Sequence, residues 1–147
     1  MLRAALLLLT GAASVASAHP GPSGAAHDGV EWRGRGVCVD DTGGQRACAS
    51  EGNRFALETP DGKLLWFAPQ DPLAPVFDDP RVRQQQVVVK ARPRPDGTAD
   101  LIKVYSDKHG KLHDVRYFCE LCNVTSFVPG LCPCCRAEME LKETPVE

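Results

Sequence analysis

The side chains with the widest chemical reach are gathered near the C-terminus. Tyr117-Phe-Cys119-Glu-Leu-Cys122 is followed, after nine residues that include Pro129-Gly130, by Cys132-Pro133-Cys134-Cys135, and this stretch holds five of the seven cysteines. A Cys-x-x-Cys step is a tight turn that sets two sulfurs on one side. Two such turns can offer four thiolates to a single ion, the tetrahedral set that zinc accepts at about 2.3 Å. The spacing therefore assigns Cys119, Cys122, Cys132 and Cys135 to a structural Zn²⁺ ion. Cys134 is left as an extra thiol and Met139 as a further soft sulfur within reach. Pro133 stiffens the second turn, and Pro129-Gly130 bends the chain into it. Two other chemistries stay open for the same residues. An oxidising compartment would favour disulfides within the tail, and the adjacent Cys134 and Cys135 could take part in thiol exchange. Arg136, next to Cys135, is placed to lower a thiolate pKa.

The compartment is argued from the other end of the chain. Arg3 precedes a short apolar run over 4–9, and Ala16-Ser17-Ala18 supplies a small-x-small cleavage site. Residues 1–18 are expected to be a secretory signal peptide, cut after Ala18, and the run is too short to span a bilayer. The mature chain is then exported, periplasmic or secreted, and does not cross a membrane. Cleavage would make His19 the amino terminus. Its α-amine and imidazole can chelate Cu(II) if a second histidine among His27, His109 and His113 joins them, and a solvated leader histidine is the competing reading. His109 and His113 are expected on a turn and a strand. Their spacing of four therefore does not align them on one helix face.

The elements that must position the cysteines read as β. Residues 19–29 contain Pro and Gly with no apolar period and are expected to be a flexible leader. From Val30 the pattern alternates: a first strand bent at Gly34 and Gly36, a hairpin over 54–59 and 64–68 around Pro60-Asp61-Gly62, then a Pro-rich connection with a helical turn near 73–77. Strands over 82–92, 99–106 and 112–118 follow, the last running straight into Cys119. Strand number and the irregular connection after the third strand predict an all-β fold, a small OB-like five-stranded barrel over 30–115 with a zinc-ribbon tail over 116–147. Val37, Val39, Phe55, Leu57, Leu65, Phe67, Val87, Val89, Ile102, Val104 and Val115 are the expected core. So small a barrel needs a staple. Cys38 and Cys48 flank a short loop and are expected to form a disulfide.

Tyr117-Phe-Cys119 and Pro129-Gly130-Leu-Cys132-Pro133-Cys134, with Met139-Glu-Leu141, resemble the short heavy-metal-binding domain found on periplasmic efflux adaptors and some metal-transporting ATPases. The likeness covers about 25 residues. That family has a Pro-Met-His-Pro segment where this chain has Glu120, Leu121, Cys122 and Asn123, and Gly-Met where it has Arg136 and Ala137. Losing the Met-His pair removes ligands suited to a transferable soft ion, while Cys122 completes an all-thiolate set suited to a fixed one. More loosely, the upstream region resembles secreted bacterial OB-type domains. A net charge of −2 argues against nucleic-acid binding. With no G-x-S-x-G, H-E-x-x-H or phosphate-binding glycine loop present, no enzyme activity is expected. The role read from the sequence is a binding or assembly module for an unspecified protein or small ligand. Metal handling and thiol-disulfide exchange are the alternatives, and the oligomeric state is open.

Overall fold

A computed structural model describes residues 29–147. The expected signal peptide, the leader as far as Asp28 and the candidate copper residues His19 and His27 lie outside the described residues. The fold is mostly β: β1 (Val30–Val39), β2 (Gln45–Arg46), β3 (Arg54–Glu58), β4 (Leu64–Phe67), β5 (Val87–Pro93), β6 (Thr98–Lys108), β7 (Lys111–Cys119), β8 (Val124–Ser126) and β9 (Glu140–Pro145). Five of these strands close a ring. β1 pairs with β3, β3 with β4, and β4 runs parallel to β6. β6 then pairs with β5, which returns to β1.

β1 closes the ring by serving two partners in turn. Val30 to Gly34 pair with β5, and Arg35 to Val39 pair with β3. The handover falls on Gly34 and Gly36 because neither position has room for a side chain. A Cβ on Gly34 would lie 2.1 Å from the Glu58 carbonyl oxygen, and one on Gly36 would lie 2.3 Å from the Phe77 ring. Phe77 fills the space that Gly36 leaves and stands at the centre of the core. It stacks on Phe67 at 5.6 Å between centroids and meets Phe55 at 6.1 Å. Leu57, Val76, Val82, Val87, Val89, Val104 and Val115 pack around these rings.

Several sequence expectations shift. Val37, Leu65 and Ile102 are half-buried, and Gly34, Gly36 and Cys38 are buried in β1 where Val37 was expected. Ile102 has no cross-strand partner, since the β5–β6 register slips between Lys90 and Ala91 and Leu101 is the residue paired with Ala91. A bulge inserts one unpaired residue and reverses the alternation beyond it, and this hands the buried place to Leu101. The strand expected from residue 82 begins at Val87. Before it lies a short helix, Pro80–Arg83, behind a 3-10 turn at Ala74–Asp78. Pro80 at the first helical position and the Asp79 carboxylate accepting from the Arg81 N–H nucleate that helix.

The tail is continuous with the sheet. β6 and β7 join through His109 and Gly110, both at positive φ, the geometry of a type I′ hairpin turn. β7 then pairs with β6 in its first half, with β8 over Tyr117, Phe118 and Cys119, and with β9 along Glu140–Pro145.

Candidate metal centre

Two similar β-turns carry the cysteines. In the first, the Cys119–Val124 pair of β7 and β8 closes a loop that ends at Cys122 and Asn123. In the second, Leu131 bridges Glu138, the Cys132 N–H donates to the Ala137 carbonyl at 2.8 Å, and the Arg136 N–H donates to the Cys132 carbonyl at 2.9 Å. In both turns the residue after the second cysteine has left-handed backbone, φ 55° at Asn123 and φ 64° at Arg136. For a non-glycine residue this conformation is uncommon, though Asn tolerates it. It occurs where the chain must reverse at once behind the sulfur, and its repetition shows that Cys132 and Cys135 form the second pair.

These turns bring the Sγ atoms of Cys119, Cys122, Cys132 and Cys135 within 4.8 Å of one another, with Cys119 and Cys135 at 3.5 Å. Four sulfurs about 2.3 Å from one ion would be separated by roughly 3.8 Å, so the cluster has the size of a tetrahedral thiolate site. Cys119 and Cys132 are buried, Cys122 is half-buried and Cys135 is exposed. The electrostatics are uneven. Backbone N–H groups of Cys135 and Cys134 aim at the Cys132 sulfur and, against its burial, bring its pKa down to about 7. The Cys122 N–H favours the Cys119 thiolate, but burial and the Cys135 and Cys132 thiols outweigh it and raise that pKa. Contact with the Cys134 thiol, then with Cys135, raises Cys122 strongly. Four sulfurs crowded without a cation resist shared ionisation. A divalent ion would remove that resistance.

The remaining sequence candidates are placed apart. Cys134 is exposed and lies outside the set of four. Met139 is buried, and its N–H donates to the Gly130 carbonyl at 3.1 Å. His109 occupies the β6–β7 turn, and the His113 Nδ1 lies 3.0 Å from the Lys111 carbonyl. Among the described residues, neither belongs to a group able to hold a metal. Cys38 and Cys48 form the expected disulfide, and Cys38 is buried on the core side of β1.

One supporting group was not legible in the sequence. Tyr117, fully buried on β7, donates its hydroxyl to Asp79 Oδ2 at 2.9 Å. The same carboxylate accepts from the Arg81 backbone and guanidinium. Asp79 caps the short helix that Pro80 opens, a local role. Its partner 38 residues away left no local trace. The link holds β7 against the connection ahead of β5, two residues before the first cysteine.

No family model, curated protein or solved structure matches this chain.

Proposed function

We propose that this chain is an exported, non-catalytic binding or assembly module in which a five-stranded OB-type barrel is capped by a tail folded around one structural zinc ion. The observation that carries the reading is the convergence of Cys119, Cys122, Cys132 and Cys135 within 4.8 Å. An all-thiolate set with no vacant protein ligand position is the pattern of structural zinc. In an ion-bound tail the four cysteines would be thiolates, and their attraction to the ion would order turns that have little apolar core of their own.

The barrel assignment is supported by strand order. Taken in chain order, the ring strands β1, β3, β4, β5 and β6 close as first, second, third, fifth and fourth, with the helical connection between third and fourth. Export is supported by the Cys38–Cys48 disulfide, since such bonds persist in oxidising compartments, together with the N-terminal signal pattern. A binding role draws on the tail surface. Leu121 is 83 % exposed, Phe127 48 % and Leu131 55 %, so large apolar side chains stand in solvent around the two turns.

Native mass spectrometry with thiol titration tests the centre. Protein from the exported fraction is expected to carry one zinc and one readily titrated thiol, Cys134, with four more thiols appearing after denaturation with a chelator. A metal-free chain whose tail cysteines are bonded to one another would remove the reading. Bound copper in place of zinc would turn it toward metal handling.

A further inference from the structure

The strands at the edges of the sheet differ in how they are guarded. β2 carries Arg46, and β9 carries Glu140, Lys142, Glu143 and Pro145. Charge and proline on an edge discourage pairing with another chain. β8, paired with β7 alone among the described strands, has neither. Its Val124, Thr125 and Ser126 run on into Phe127 and Val128, an uncharged stretch rich in β-branched and aromatic residues.

Beside β8 lies a groove of about 480 Å³, walled by Leu73, Val124, Phe127, Leu131, Pro133 and Met139 among others. Leu73 and Phe127 also line a smaller hollow of about 50 Å³ that reaches Val104 and Val115. The Ser126 hydroxyl accepts from the Val128 N–H at 3.1 Å and donates to the Val128 carbonyl at 2.9 Å. These bonds fix the bend that carries Phe127.

We propose that the outer edge of β8 and this groove take an extended segment of a partner protein as an added strand, one with uncharged apolar side chains at alternate positions. The inference rests on the binding-module reading above, whose partner it specifies, and does not depend on which ion the cysteines hold. The open edge selects an extended backbone, because every second residue of an edge strand turns its N–H and C=O outward. Charge selects the side chains. Among the described residues, none that lines the groove is charged. Lys103, whose ammonium lies 4.7 Å from the Phe127 ring centroid, is already paired with Asp114 at 2.5 Å. A charged side chain seated in the groove would lose its hydration and meet no free counter-charge. Area selects a segment over a second copy. Phe127 and Leu131 are each about half exposed. Half of two large side chains is on the order of 200 Å², well short of the roughly 800 Å² per partner that a stable dimer buries.

The test selects peptides from a displayed random library on the full exported chain and measures their binding by fluorescence polarisation. Enriched peptides are expected to carry apolar residues at alternate positions and to shift the backbone amide resonances of 124–131. Methylating the peptide's backbone nitrogens one at a time should weaken binding at least about fivefold at every second position and little between, since each blocked hydrogen bond is worth about 1 kcal/mol and the methyl group adds a clash. That scan leaves the protein unaltered. Phe127→Asp, whose fold is checked by its zinc content and amide spectrum, is expected to bind at least about tenfold more weakly. Equal binding by Phe127→Asp and the native chain would overturn the inference and leave a binding module whose site lies elsewhere. A methylation scan without the period of two would overturn it, as would recovery of no alternating peptide; the metal centre, scored by zinc content, is untouched by either. Dimerisation lost in Phe127→Asp would give the groove to a second copy, and contacts of residues 19–28 with Phe127 in the unliganded chain would give it to the leader. Either result overturns the proposal.

Discussion

Tyr117 is the residue through which the cysteine tail is tied to the ring. Its ring is buried and its hydroxyl reaches a carboxylate that is itself buried, Asp79. A buried carboxylate stays ionised only where donors repay its desolvation. Burial pushes the Asp79 pKa up, but hydrogen bonds from the Arg81 side chain, the Arg81 backbone and Tyr117 outweigh it and hold the carboxyl below the usual range. Tyr117→Phe keeps the packing and removes one donor, so a loss of about 1–3 kcal/mol in denaturant-unfolding stability is expected. Linkage sets the sign of the pH effect. A carboxyl whose folded pKa is depressed contributes stability above its unfolded value of about 3.9, and that contribution is lost as pH falls through the lower folded value. Acid unfolding curves of Asp79→Asn should therefore fall less steeply below about pH 4 than those of the native chain. Equal slopes would show that other carboxyls govern acid unfolding.

Among the elements, β1 and β7 each serve more than one partner. β1 bends from β5 to β3 and is stapled at its end, where Cys38 bonds Cys48 across the β2 loop. On the chain-entropy account, closing so short a loop is worth roughly 2–3 kcal/mol. The double substitution Cys38→Ser with Cys48→Ser is expected to lower stability by about that amount in chemical denaturation without altering metal content. A loss of zinc in that variant would mean that the ring and the tail are not separable in the way their pairing suggests. β7 is bordered by β6, β8 and β9, so its first half belongs to the ring hairpin and its last residue is Cys119, the first cysteine of the four-sulfur cluster. The sequence showed a strand running into the cysteines. It did not show β9, because Glu140–Pro145 contains two glutamates, a lysine and a proline and has no clean apolar alternation. That strand is held from outside itself, by its pairing with β7, by the Lys108–Glu143 ion pair at 2.6 Å and by the Gln85 amide donating to Glu143 at 2.8 Å.

For the whole molecule, a packed ring and a sulfur-rich tail should respond differently to metal removal. Ring residues around Phe77 make up most of the core, to which the tail adds Cys119, Cys132 and Met139, whereas the turns at 119–139 expose Leu121, Phe127 and Leu131. Chelation under conditions that leave the Cys38–Cys48 bond intact is expected to strip amide-exchange protection from residues 119–139 while β1, β3, β5 and β6 stay protected. Uniform loss of protection would make the metal part of the global core. Uniform retention would leave it no structural role. What the sequence determined by itself was local in origin: the β character from alternation and turns, the disulfide from two cysteines flanking a short loop, and the clustering of four cysteines from two Cys-x-x-Cys steps. What the tertiary structure decided was long-range. It closed the ring through a parallel β4–β6 contact, moved Ile102 out of register by a bulge, lent β9 a partner, and set Asp79 under Tyr117. Spacing along a chain reports which groups can share a turn. Which groups share an interior depends on the pairing and burial of the whole fold.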